Sequence, residues 1–134
     1  MSMAIIYWSG TGNTEKMANA IAKGAGSTDI FSVDKADMSI IGKYDKLAFG
    51  CPSMGAEVLE EESFEPFFAS IEGSLSDKKV ALFGSYGWGD GEWMRDWQER
   101  VNNTGASLFV EGFIQQEAPD ETACEEFGSK FAAF

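Results

Sequence analysis

Short stretches that are apolar at consecutive positions alternate with stretches that are apolar only at helical spacing, along the whole chain. Residues 3–8, 46–51 and 80–85 are of the first kind, the pattern of strands buried on both faces. Residues 29–33 are shorter and more polar, which suits an edge strand. The second kind begins with Met17 and Ile21, four apart, with Glu15, Lys16, Asn19 and Lys23 turned outward and Gly24 and Gly26 as a stop. Phe64, Phe67, Phe68 and Ile71 repeat the helical rule, and so do Trp93, Trp97 and Val101, closed by Asn102, Asn103 and Gly105. A last strand over 107–114 is interrupted at Glu111-Gly112. Pro119-Asp120-Glu121 then opens a helix that lines up Cys124, Phe127, Phe131 and Phe134. Strand and helix alternating without a linker or repeat predict one domain over residues 1–134: a doubly wound α/β fold, five parallel strands with helices on both faces.

Composition narrows the chemistry. Of 134 residues, 44% are hydrophobic and 13% aromatic, enough for a packed core. Ten Lys and Arg stand against 22 Asp and Glu, a net charge of −12. Such a surface repels nucleic acid and anionic membranes and favours partners with basic faces. The chain has no histidine, which removes Ser/His/Asp and Cys/His catalysis. Cys51 and Cys124, the only cysteines, fall in segments that read as core, so a disulfide framework is not expected. The start, Met1-Ser2-Met3-Ala4-Ile5-Ile6-Tyr7-Trp8, lacks the basic region and long apolar run of a signal peptide, and no stretch approaches a membrane span. A reduced, cytoplasmic compartment is the expectation.

Ligands in doubly wound folds bind beyond the carboxyl ends of the strands, where strand order reverses. After the first strand comes Ser9-Gly10-Thr11-Gly12-Asn13-Thr14, whose amides and hydroxyls can surround a phosphate at the positive end of a helix dipole. No Gly-Lys-Ser/Thr comes after it, and Glu15 stands where a dinucleotide fingerprint has its third glycine. The alternative is an ordinary capped turn. A cradle without charge suits a permanently bound phosphate monoester, since no phosphoryl transfer needs stabilising. The third strand ends in Cys51-Pro52-Ser53-Met54-Gly55-Ala56-Glu57, the fourth in Ser85-Tyr86-Gly87-Trp88-Gly89-Asp90-Gly91. Trp93 and Trp97 read as core, but Trp88 lies between two glycines with little scaffold behind it. That points to a planar ligand to stack on, against the alternative of a lid over the core.

These three loops, and the run Ala81-Leu82-Phe83-Gly84 that precedes the last of them, make the chain resemble the short-chain flavodoxins of the clostridial type, from Ile5 to the last helix. That family is itself the standard example of strand order 2-1-3-4-5 with FMN at the switch point. The resemblance implies a low-potential one-electron carrier with FMN held non-covalently, exchanging electrons with a reductase and an acceptor enzyme. The Ser9-to-Thr14 loop would hold the phosphate. Trp88 and Met54 would pack on the outer and inner faces of the ring, and Glu57 would accept from the flavin N3–H. Backbone amides from Gly87 to Asp90 would serve the pyrimidine edge. Gly55 would be the redox switch, its carbonyl turning toward the N5–H of the semiquinone. The carboxylates around these loops would disfavour the anionic hydroquinone, and those from Glu60 to Glu65 read as a solvated helix face.

Three positions depart from the family pattern. Ala56 stands where relatives carry Asp, Asn or a second Gly; Pro52 removes an amide; and the stretch Gln115-Gln116-Glu117-Ala118 carries an extra residue near the expected ribityl contacts. Other readings on the same fold are a flavin reductase, the flavodoxin-like activator of a ribonucleotide reductase, and a non-redox FMN store. A true enzyme would need a substrate pocket over the ring, which Trp88 and the short loops would cover. A phosphate-triggered signalling domain would need clustered acids at the strand ends and a lysine after the last strand, and the chain has neither.

Overall fold

The apolar runs become the centre of a parallel sheet. The computed structural model describes residues 3–26 and 28–134. Met1 and Ser2, the head of the segment read for a leader, and Ser27 lie outside the described residues. The elements are β1 (Met3–Tyr7), α1 (Asn13–Ala25), β2 (Asp29–Ser32), α2 (Met38–Ile41), β3 (Lys46–Gly50), α3 (Phe64–Ile71), β4 (Lys79–Tyr86), α4 (Glu92–Asn102), β5 (Ser107–Leu108), β6 (Phe113–Gln116) and α5 (Glu121–Ala133). The sheet order is β2-β1-β3-β4-β5, all parallel, with β6 also on β4. The predicted order holds, and β2 is the edge.

The predicted fifth strand is two pieces. Val80 pairs with Leu108, and pairing resumes at Phe83 with Phe113. Between them Val110 takes a positive φ of 46°, and the Gly112 amide turns aside to donate to Gln98 Oε1 on α4. A Cβ on Gly112 would lie 2.2 Å from Met94 Sδ, so a side chain there would have to displace Met94 of α4.

Alternation along the strands sorts the core into two layers. Ile6, Leu47, Phe49 and Leu82 face α3 and α4, where Phe64, Phe68, Ile71, Trp93, Trp97 and Val101 are buried. Ile5, Ala48, Ala81 and Phe83 face α1 and α5, against Met17, Ile21, Cys124, Phe127 and Phe131. The ring of Trp97 stands edge-on to Phe64 and Phe68 at 5.4 and 5.7 Å, a geometry aromatic quadrupoles favour.

Some expectations are corrected. Trp8 and Cys51 lie just past their strands, and Phe134 lies past α5, 38% exposed. Gly24 does not stop α1, which runs on to Ala25 and ends at Gly26 (φ 90°). A Cβ on Gly24 would meet the Glu125 carbonyl oxygen at 1.8 Å; the residue is there to let α5 approach. The acids from Glu60 to Glu65 are not merely solvated. Glu60 is 7% exposed and accepts from the amides of Glu62, Ser63 and Phe64 at 2.8–2.9 Å, capping α3 from four residues upstream. Glu65 and Glu72 grip Arg100 of α4 at 2.7 Å.

Candidate functional site

From β1 the chain moves to one side for β2 and then to the other side for β3. The carboxyl ends of β1 and β3 therefore flank the reversal of strand order, where helices on opposite faces leave a crevice. A cleft of about 270 Å³ opens there. Of the residues predicted for a site, Gly10, Thr11, Asn13, Pro52, Ser53, Met54, Ser85, Tyr86 and Gly87 line it.

The loop after β1 is held by its own side chains. Ser9 Oγ accepts from the Gly12 and Glu15 amides at 3.1 and 3.3 Å. Gly12 takes φ 101°, a turn a side chain would strain. Thr14, 1% exposed, hydrogen-bonds Ser85 Oγ at 2.9 Å, which latches the loop to β4. Ser9, Gly12, Thr14 and the Ser85 hydroxyl thus build the cradle more than they line it. Among the described residues, no hydrogen bond occupies the amides of Gly10, Thr11, Asn13 or Thr14. Unspent donors at a helix N-terminus are what an anion needs.

The second loop continues the sheet before it turns. The Ser53 amide donates to the Ser85 carbonyl at 3.0 Å. Met54 and Val58 exchange backbone hydrogen bonds at 2.9 and 3.0 Å, closing a turn over Gly55 and Ala56. Gly55 has φ 51° and nothing within 4 Å of where its Cβ would be. Glu57, also at positive φ (55°), reaches the third loop, where its Oε1 accepts from the Gly91 and Glu92 amides at 3.2 and 3.1 Å. No hydrogen bond among the described residues uses its Oε2. Gly89 packs on that carboxylate, its Cβ position 2.5 Å from Oε1.

The third loop leaves Trp88 63% exposed, the most exposed large apolar side chain among the described residues, while Trp93 and Trp97 are buried. Trp88 is not a lid over the core. Met54, 38% exposed, borders the cleft. Asp90 pairs with Arg95 at 3.0 Å on an open surface, worth little. Burial drives the Cys51 thiol far above its ordinary range, so Cys51 is a protonated packing group.

Trp8 and Glu117 line the cleft although the sequence placed neither there. Trp8 read as the end of a strand, yet its ring underlies the loop, 2.9 Å from where a Gly10 Cβ would be. Glu117 comes from the stretch with the extra residue; its amide donates to the Tyr86 carbonyl at 2.8 Å, and Gln116 reaches the Gly87 carbonyl. No cluster of metal-ligating side chains occurs among the described residues. No helix there is long and apolar enough to cross a membrane.

Gly55, Ala56, Glu57, Trp88, Gly89 and Asp90, also predicted for the site, do not line the cleft. Fold and cleft together define a doubly wound α/β protein with a crevice at the switch point, walled by the loops after β1, β3 and β4, with free amides at the start of α1. Similarity to known proteins agrees with that class. A family model described as flavodoxin matches residues 5–128. A flavodoxin of Clostridium beijerinckii is 52% identical over 97% of this chain and 99% of its own, and one of Megasphaera elsdenii 44% identical over 96% of each. The solution structure of two-electron reduced Megasphaera elsdenii flavodoxin superposes with a TM-score of 0.91 at 42% identity, covering 98% of this chain and 99% of that one. The chain belongs to the flavodoxin family, FMN-binding electron carriers that serve redox partner proteins.

Proposed function

We propose that this chain carries single electrons at low potential on one FMN, as a cytoplasmic monomer folded as one domain, for partners with basic docking faces and without turnover of its own. The free amides of Gly10, Thr11, Asn13 and Thr14 carry this reading. They would bind the phosphate of FMN, with the Thr11 hydroxyl and the α1 dipole adding to them. Trp88 and Met54 would cover the two faces of the ring and exclude water from it. Glu57 would accept the N3–H with Oε2 while Oε1 stays tied to α4. Amides from Gly87 to Asp90 would hold the pyrimidine edge. FMN supplies the one-electron chemistry when bound.

The protein's part in that chemistry is an acceptor that can move. The turn is pinned at Met54 and Val58, and Gly55 between them has empty space at its Cβ position. Its carbonyl would serve as an acceptor for a flavin N–H, since the peptide has room to turn while the ends stay paired. A net hydrogen bond of about 1 kcal/mol corresponds to roughly 40 mV in a one-electron potential. Ala56 beside it adds no charge and no side-chain donor to the turn.

Anaerobic stepwise reduction of the FMN-loaded protein tests this. A long-wavelength absorption band that builds and then bleaches is the expected outcome. Direct passage from yellow to colourless would overturn the one-electron reading and move the protein to two-electron flavin chemistry.

A further inference from the structure

A second groove lies on the far side of the 54–58 turn, and we propose that it is the anchor point for a lysine or arginine side chain of the basic redox partner. The inference rests on the carrier reading and adds the place where the partner grips. The groove runs between residues 57–59 and α4 and holds about 130 Å³. At ~30 Å³ per water that is about four waters, the bulk of one long side chain.

Its chemistry is amphipathic. Val58, 40% exposed, and the buried Leu59 and Trp97 form an apolar floor. The rim is net acidic, with Glu57, Glu65 and Asp96 against Arg100, and of these Asp96 has no ion pair or hydrogen-bond partner among the described residues. Arg100 is the rim's cation, and Glu65 and Glu72 grip it at 2.7 Å, which leaves the trio with a net negative charge. An aliphatic stem with a terminal cation matches this arrangement, the stem on Val58 and the indole, the charge at Asp96. A second copy of this chain, itself at −12, is a poor occupant.

Position argues for the same occupant. Val58 and Met54 are the two hydrogen-bonded ends of one turn; Met54 lines the FMN cleft and Val58 lines the groove. A partner gripped at Val58 and Asp96 is one turn's width from the cofactor.

The test uses FMN-loaded protein, reduced, mixed in stopped flow with cytochrome c as a basic acceptor. Asp96→Lys is compared with Glu126→Lys, the same charge change on exposed α5 across the sheet. The expected result is a second-order rate about fivefold lower for Asp96→Lys than for Glu126→Lys at low salt, with the gap closing at high salt. FMN absorption and affinity stay as in the parent. Equal rates for the two variants would overturn the groove. Titrating an oligolysine peptide into ¹⁵N-labelled parent protein gives an independent reading. Shifts centred on Val58, Asp96 and Arg100 support the groove, and shifts spread evenly over the acidic surface overturn it. A parent protein that passes no electrons at all would sink the carrier reading instead, and the peptide titration would still decide the groove.

Discussion

Gly24 on α1 and Gly128 on α5 lie where the two helices touch. A Cβ on Gly128 would stand 2.0 Å from the Ile21 carbonyl oxygen, backbone that cannot swing away. Helix propensity alone makes Gly128→Ala a gain of about 1 kcal/mol. Overpacking costs about 1–3 kcal/mol and wins here, because α1 and α5 must separate to admit the methyl group. The variant is expected to unfold at lower urea than the parent, and an unchanged or higher midpoint would refute the close contact. This requirement was illegible in the chain, where a glycine near the end of a helical pattern reads as a stop. Only the partner helix, about a hundred residues away, reveals its purpose. The cysteines were legible, being buried and unpaired as expected. Burial raises the Cys124 thiol to about 11, with Asp120, Glu121 and Glu125 adding to the shift, and raises Cys51 further. Thiolate is the reactive form, so at about pH 8 native protein should leave a disulfide reagent nearly unreacted, with both thiols titrating once it is unfolded. Rapid reaction in the native state would contradict that burial.

Two carboxylates on one loop start two helices. Glu57 holds the first amides of α4 and Glu60 those of α3, so the segment between β3 and α3 is fastened at both ends before any ligand binds. In Glu60→Ala three amides lose a charged acceptor, and that of Phe64 is buried. The expected loss is roughly 2–3 kcal/mol in urea unfolding, with Glu60→Gln losing less because its carbonyl oxygen still accepts. Equal stability of the alanine variant and the parent would show that the cap holds nothing. The element pattern was well legible: every strand was located within a residue or two, and Glu111-Gly112 marked the break between β5 and β6. The caps were not. Local spacing assigns a run of acids before an apolar helix to solvent, and Glu60 becomes a cap only once α3 is known to begin at Phe64. Gly10, Thr11, Asn13, Pro52, Ser53, Met54, Ser85, Tyr86 and Gly87 were readable as cleft residues because short glycine- and hydroxyl-rich loops directly after buried strands are local signals. Trp8 and Glu117 enter through the packing of one loop on another, which no single segment encodes.

Because all the strands run parallel, the residues that lead into strands gather at one end of the molecule and those that leave strands gather at the other. Lys43 and Lys46 sit at the start of β3, and Lys78 and Lys79 at the start of β4. Glu57, Glu60, Glu61, Glu62, Asp90 and Glu92 sit in the segments that follow β3 and β4 at the far ends. Asp45 and Asp77 offset part of the lysine charge, and the negative excess of the −12 gathers at the carboxyl ends of the strands, where the cleft opens. The eight residues of β4 at ~3.3 Å each place the two ends roughly 26 Å apart. The Debye length is about 30 Å at 10 mM salt and about 8 Å at 150 mM. Near 150 mM, a reactant at the cleft feels the carboxylates and not the lysines. Electron transfer to cationic cytochrome c should therefore slow as salt is added, while reduction by the dianion dithionite should accelerate. Glu61→Gln should lower the cytochrome rate at both salt levels. Lys78→Gln should raise it at about 10 mM and leave it at the parent value near 150 mM. Stopped-flow rates for the two variants at the two salt levels decide the matter. If Lys78→Gln moves the rate near 150 mM as far as Glu61→Gln does, overall charge governs encounter and its placement by the strand ends does not.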